Sequence, residues 1–338
     1  MKRTRSLLLA LLLGLSTAVQ AQQEGLFSAQ SGNWFLRNPA ISGWEEYIDL
    51  RMGYRRQWLG TPQGPEGYYL TANAPINYFE PRGKSLPMLS KYFMQQQQAP
   101  PAKDQTWYRH GIGATAIVQN NRPFRMNMVQ GSYAIHFKIS AEAKASLGAS
   151  LGIRQWRVNI DDLNIGDGSD PAFEPTFISE IVPSVAVGLL VYHPNYFLSI
   201  SSSQVLEENL ALNPERAGQV GGVLERHYYA GAGYKLQLHP NWKLSPQAML
   251  RYLPSLGWSN DYLLQVSYQN QWWGSVGYRS SMSSLGGQLG YAIKPWLRLS
   301  YAYELSTGET SSLGRHTHEV SLMGRIGVRQ YGMEQKYF

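Results

Sequence analysis

The chain of 338 residues has no cysteine, so it has neither a disulfide framework nor a thiol through which an exported chain could be lipid-anchored. It has few charges, with Asp, Glu, Lys and Arg together at 16%, and beyond residue 21 it has no run of about 18 apolar residues. The second absence excludes a bundle of membrane-spanning helices, and a mean hydropathy of -0.33 agrees with that. Neither absence argues against a β-barrel, in which only every second strand residue meets lipid. Chemistry-bearing strings are scarce as well: there is no H-E-x-x-H and no Walker A loop. The expectation is a protein that is not an enzyme and holds no cofactor and no metal.

What is present points outward from the cytoplasm. Residues 1–21 carry Lys2, Arg3 and Arg5, then an apolar run from Leu7 to Leu15, then small and polar residues ending at Ala21. That is the pattern of a secretory signal peptide, with an apolar core too short to span a bilayer as a helix. A pI near 9.4 would suggest nucleic acid in a cytoplasmic protein. Export removes that partner and assigns the excess of Arg and Lys to a lumen or to anionic outer-membrane lipid. With 33 glycines and 22 tyrosines, the chain favours strands and turns over helices.

Period-2 alternation runs through most of the sequence. Ile48, Leu50, Met52 and Tyr54 alternate with Asp49, Arg51 and Arg55, and Ala145, Leu147, Ala149, Leu151 and Ile153 alternate with Ser146, Gly148, Ser150, Gly152 and Arg154. Small residues on the polar face are wasted on a solvated sheet but leave room inside a barrel. Fourteen such segments are predicted, at 45–58, 66–76, 105–119, 128–141, 143–156, 184–191, 196–203, 224–238, 242–253, 260–268, 270–281, 284–293, 296–306 and 317–328. An even number is what single-chain bacterial barrels use.

The connections separate a barrel from a soluble sandwich. Taking the N-terminus as periplasmic, most even connections are tight, among them Ala141-Glu142, His193 to Asn195 and Lys294-Pro295. Odd ones, at 120–127, 157–183, 204–223 and 307–316, are mostly long. Short inner turns and long outer loops are the outer-membrane pattern. One even connection, 77–104, departs from it, with a short helix expected at Leu86 to Met94 and a low-complexity linker at Gln95 to Pro101. The predicted fold is therefore all-β, a single-chain transmembrane antiparallel barrel of about 14 strands over 45–338. Residues 22–44, with Leu26, Phe27, Trp34, Phe35 and Leu36, are too apolar for a free tail and form either a plug or a rim segment.

A set of short motifs runs in a fixed order along the chain. It begins with Asn38-Pro39-Ala40, Gly43, Tyr54-Arg55-Arg56-Gln57-Trp58, Gly60 and Pro75. It continues through Gly111-Ile112-Gly113, Val187 to Tyr192, Trp273-Gly274, Tyr278-Arg279 and Gly290-Tyr291, and closes on His318-Glu319. In order and spacing this resembles the PorP/SprF family of the Bacteroidetes type IX secretion and gliding machinery. The resemblance implies an outer-membrane barrel serving export and surface anchoring of large secreted proteins, such as adhesins with a type B C-terminal sorting domain. It also implies contact with a periplasmic peptidoglycan-binding protein.

By alternation, Asp49, Arg51, Arg55, Arg154, Arg279, Arg298, Glu304, Glu319 and Arg325 face the lumen. Buried charges need partners, so these residues form either an ion-pair network that sets barrel shape or a ladder that grips a plug or an inserted partner. Trp34, Trp44, Trp58, Tyr68, Tyr69, Trp107, Trp156, Trp258, Trp272 and Trp296 fall near predicted strand ends, where an interfacial girdle explains most of them. His316 and His318 near Glu319 invite a metal reading, and the acidic loop with Asp161, Asp162, Asp167 and Asp170 a calcium one. Both lack a full ligand pattern and read as solvated residues. The alternative function is a channel or transporter for small or apolar solutes, which differs in requiring a continuous path through the lumen.

Overall fold

The computed structural model describes residues 32–61, 64–76, 108–159, 177–206, 208–211, 221–308 and 315–327. Strands β1 (Ile48–Arg56), β2 (Glu66–Pro75), β3 (Tyr108–Asn121), β4 (Phe124–Lys138), β5 (Lys144–Asn159), β6 (Phe177–Tyr192) and β7 (Tyr196–Ser203) pair in chain order. A small hairpin of β8 (Glu208–Ala211) and β9 (Gly221–Leu224) follows, as a sheet of its own. The second half comprises β10 (His227–Tyr234), β11 (Leu236–His239), β12 (Trp242–Leu253), β13 (Gly257–Tyr268), β14 (Trp272–Arg279), β15 (Ser284–Lys294), β16 (Leu297–Ser306) and β17 (His316–Ile326). β10 and β11 are two lengths of one strand, interrupted at Lys235, and both pair with β12. The chain closes where β17 pairs antiparallel with β1, Asp49 opposite Arg325 and Arg55 opposite Glu319. The result is a closed barrel of fourteen antiparallel strands with no open edge.

The alternation read from the sequence decides which face is which. In β1, Asp49, Arg51 and Arg55 are buried while Met52 and Tyr54 are exposed. The exterior is a continuous apolar surface that includes Leu289 at 74% exposure, Leu151 at 68% and Val276 at 63%, whereas inward Arg279 and Glu319 are each 3% exposed. An apolar wall of that extent around a polar interior is built for lipid. Tyr108, Tyr196, Trp242, Trp272 and Trp296 stand exposed at one rim, and Tyr68, Tyr228 and Trp258 at the other. These are two girdles at interfacial height.

The structure corrects several details. The connection expected at 120–127 is a two-residue turn, Arg122-Pro123, because β3 and β4 pair out to Asn121 and Phe124. β5 and β6 likewise reach Asn159 and Phe177, which shortens the connection expected at 157–183. The girdle reading fails for four aromatics: Trp34 and Trp44 precede β1 and pack inside, and Tyr69 and Trp156 point inward into an apolar cluster. His316 and His318 face outward, each bonded through Nδ1 to a tyrosine hydroxyl (Tyr303 and Tyr301), while Glu319 faces the lumen. That opposition splits the metal reading across the sheet. Residues 1–31, the connection expected at 77–104 with its helix and linker, residues 105–107 including Trp107, the acidic loop residues and 328–338 lie outside the described residues.

Candidate functional site

The barrel's interior is occupied by its own chain. Residues Asn33 to Trp44 lie inside the periplasmic half of the lumen as two single turns of 3-10 helix, Trp34–Leu36 and Pro39–Ile41. Asn38 is the pivot. Its Oδ1 accepts from the Ala40 N–H at 2.8 Å, capping the second turn, and Pro39 at the first position of that turn needs no donor of its own. Its Nδ2 donates to Ser199 Oγ at 2.7 Å and to the Leu189 carbonyl at 2.9 Å. One side chain thus ties the segment to β6 and β7.

Other bonds radiate to the rest of the wall. Ser146 Oγ donates to the Ala40 carbonyl and Ser201 Oγ to the Arg37 carbonyl, at 2.8 and 2.7 Å. Trp34 Nε1 donates to Gln247 Oε1 at 2.8 Å, and the Gly43 N–H donates to Asn73 Oδ1 at 3.1 Å. The Ser42 carbonyl can only accept, so His136 Nε2, at 2.8 Å, carries the proton, and His136 Nδ1 accepts from the Tyr192 hydroxyl. Where the chain leaves toward β1, Arg109 Nη2 donates to the Gly43 and Trp44 carbonyls, both at 2.7 Å. Phe35, Ala40, Ile41 and Trp44 pack against Leu190, Tyr192 and Phe197, so apolar burial holds the segment as well.

Inward glycines make this fit possible. A Cβ at Gly148 would lie 2.3 Å from the Ala40 nitrogen, and one at Gly111 would meet the Ser42 carbonyl oxygen. Gly43 has φ +72 and sits against Gly111 Cα and the Ala74 carbonyl, so it is required by conformation and by space together. Replacing Asn38 by alanine removes the cap and leaves buried wall carbonyls without their donor. The expected cost is about 1–3 kcal/mol, read as faster hydrogen exchange at the Ala40 to Gly43 amides with the barrel otherwise intact.

In the outer half of the lumen, charges form a chain across the wall. Arg55 Nη2 lies 2.7 Å from Glu304 Oε2, and Arg55 Nη1 lies 3.5 Å from Glu319 Oε2. Arg279 Nη2 reaches Glu304 Oε1 at 3.6 Å, and its Nε reaches Asp261 Oδ2 at 3.5 Å. The chain runs β13, β14, β16, β1, β17 and skips β15. There the inward residues at that level are Ser284 and Gly286, small enough for Arg279 to reach over them. With its amide oxygen turned toward Arg55, Gln57 accepts from Nη2 at 2.8 Å.

The charged residues named from the sequence therefore separate into groups. Arg55, Arg279, Glu304 and Glu319 meet in this chain. Asp49 and Arg51 pair with each other at 2.7 Å in the periplasmic half, where Arg325 lies over the Tyr47 ring and Arg298 over Trp273, each 5.2 Å from the ring centre. Arg154 Nη2 lies 3.3 Å from Met128 Sδ. Asp261 and Arg109 were missed, although strand parity beside Tyr262 and Tyr108 places both inward. Arg37, which shares a small cavity with Asp261, lies off the strands and carries no such signal.

The remaining motif residues also have physical roles. Trp58 and Gly60 take positive φ in the turn after β1, and Gly290 admits the Trp273 ring. The Tyr291 ring lies 4.3 Å from that of Trp272, centre to centre, tilted by 43°, and Tyr278 faces lipid. The string Gly148-Ala149-Ser150-Leu151-Gly152 matches G-x-S-x-G in letters, but it lies in the middle of β5 rather than at a strand-to-helix turn, so it is no nucleophile elbow.

In structure, the barrel is similar to the CymD monoaromatic hydrocarbon channel at 14% identity and TM-score 0.45, over 87% of this chain and 92% of that one. It is similar to the Ralstonia pickettii toluene transporter TbuX at 9% and 0.46, over 87% and 93%. It is also similar to the Acinetobacter baumannii outer membrane protein Omp33 at 9% and 0.45, over 84% and 100%. Likeness at this level extends to no ligand and no activity. No curated protein matches the chain in sequence. The profile of the family described as type IX secretion system membrane protein PorP/SprF matches residues 19–323, nearly the whole chain. With the closed barrel and its lipid-facing wall, that match makes the chain an outer-membrane β-barrel that belongs to the PorP/SprF family of type IX secretion system membrane proteins.

Proposed function

We propose that this barrel is a non-enzymatic component of export and surface anchoring, holding large secreted proteins with type B C-terminal sorting domains at the outer membrane and contacting a periplasmic partner. The observation that supports this most is the occupied lumen. Gly32 to Trp44 is bonded to strands β1 through β7 and to β12, and the cavities left beside it are small, ≈ 90 and ≈ 80 Å³. A transporter of small or apolar solutes needs a continuous path, whereas an anchor works with a filled barrel. Family membership supports the link to secretion.

The test is affinity purification of the tagged protein from detergent-solubilised outer membranes, with mass spectrometry of what accompanies it. Recovery of a protein with a C-terminal sorting domain, or of a peptidoglycan-binding protein, is the expected result. The purified barrel is expected to stay closed in a planar bilayer. A steady solute-permeable conductance in the unmodified protein, with no such partner recovered, would replace this reading by the transporter.

A further inference from the structure

At the outer rim the exterior of the barrel changes character within two steps along the strands. Residues opposite one another across β2 to β6 form rows, and one row, Leu70, Ala116, Val129, Ile153 and Pro183, is apolar throughout. Two residues further out the row is Tyr68, Val118, Asn127, Gln155 and Ile181, half polar and level with the outer girdle. Two more bring Glu66, Asn120, Arg125, Arg157 and Ser179, with no apolar side chain among them. Two residues advance a strand by about 7 Å, so this third row stands where the hydrocarbon of a bilayer gives way to its headgroups.

Within that third row the charges are unevenly met. Glu66 accepts from Arg56 Nη1 at 3.0 Å, from the Tyr54 hydroxyl at 3.3 Å and from Asn120 Nδ2 at 3.3 Å, so its charge is already answered. Arg125 and Arg157 stand directly opposite one another on β4 and β5, both exposed. Like charges in that position repel. Among the described residues Arg125 has no partner, and Arg157 meets only the Gln155 amide, whose oxygen, turned toward it, accepts from Nη2 at 3.1 Å. Glu180, next along β6, lies on the other face of the wall, opposite Trp156.

We propose that Arg125 and Arg157 together bind a phosphate group of a lipid in the outer leaflet. Two adjacent guanidinia offer their N–H donors in planar forks, the geometry that suits phosphate, and a shared anion relieves their repulsion. Both arginines stand on the lipid-facing side of the wall, in line with Val129 and Ile153 below them. An anion that reaches them there is one held in the bilayer, whereas a secreted protein meets the barrel from above. The site lies outside the lumen and is independent of what the barrel anchors.

The test uses the full-length protein in detergent at constant ionic strength, mixed with lipid A that carries its phosphates or with the same lipid A after enzymatic dephosphorylation. Native mass spectrometry counts the lipid retained. The phosphorylated lipid is expected to bind about tenfold more tightly or better, and Arg125→Gln with Arg157→Gln should remove that preference. Lys294→Gln, which removes a cation at the periplasmic end, should keep it. Both arginines are exposed, so the double variant should fold, which heat-modifiable mobility on gels checks. If it does not, Arg125→Gln alone serves, because no bond to the described residues is lost with it. No preference for the phosphorylated lipid, or a preference unchanged in the arginine variants, overturns the proposal. Displacement of the lipid by equimolar inorganic phosphate would make this a site for a free ion, and displacement by an equimolar acetylated tri-glutamate peptide a site for a polypeptide; either result replaces the lipid.

Discussion

Replacing Gly148 by leucine will displace the lumenal segment and give the closed barrel a conducting state. A Cβ at that position would already lie 2.3 Å from the Ala40 nitrogen and 2.5 Å from the Pro39 carbonyl carbon, and a leucine projects further. The wall cannot yield, because β5 is laddered to β4 and β6 along its whole length, with Gly148 opposite Ala134 and Gly188. The segment can, since scattered side-chain bonds each worth about 0.5–1.5 kcal/mol net hold it against an overpacking cost of about 1–3 kcal/mol or more. Planar-bilayer recording should then show open-channel current, and added protease should cleave near residues 33–44. Gly131 on the neighbouring strand faces outward into open space, so leucine there should leave the barrel closed. A silent, protease-resistant Gly148→Leu protein would show that the segment is not held by this fit.

Glutamine in place of Glu304 should be the most destabilising single charge change in the lumen. Glu304 lies between two arginines, 2.7 Å from Arg55 and 3.6 Å from Arg279, and all three side chains are almost fully buried. Removing its charge leaves two guanidinia facing one another across a neutral amide, and breaking a buried pair in this way costs about 3–5 kcal/mol. Denaturant unfolding in detergent, followed by tryptophan fluorescence, should show that loss. The same variant separates the two roles open to these charges. Lost stability with retained capture of the secreted partner proposed above identifies a shape-setting network. Retained stability, within about 1 kcal/mol of the unmodified protein, with lost capture identifies a grip on the partner.

Much of the fold was legible because a barrel in lipid writes its geometry into every second residue. Asp49, Arg51 and Arg55 on one parity and Leu50, Met52 and Tyr54 on the other suffice to place β1 and its faces. What parity could not supply was reach. It put Arg279 and Glu304 on the same side of the wall, but their meeting depends on Ser284 and Gly286 being small on the strand between them. It put Tyr69 and Trp156 near strand ends, where a girdle was the ordinary reading. The structure turns both inward to the cluster with Met126, Met128 and Val182. Strand ends were also blurred at β3 and β4, where Arg122-Pro123 turns the chain within what had read as an eight-residue loop, 120–127.

The solvent, the strand number and the two faces are written in the order of residues, since they follow from a period of two and from where turns interrupt it. What fills the lumen is set by the folded barrel. Asn33 to Trp44 has no periodicity, and its position rests on glycines far apart in sequence, Gly111, Gly148 and Gly188, that line up in one row only when β3 to β6 have paired. The division of the interior charges has the same origin. Arg279 meets Asp261 and Glu304 through the register of β13 to β16, and Arg55 meets Glu304 and Glu319 only once β17 has paired with β1.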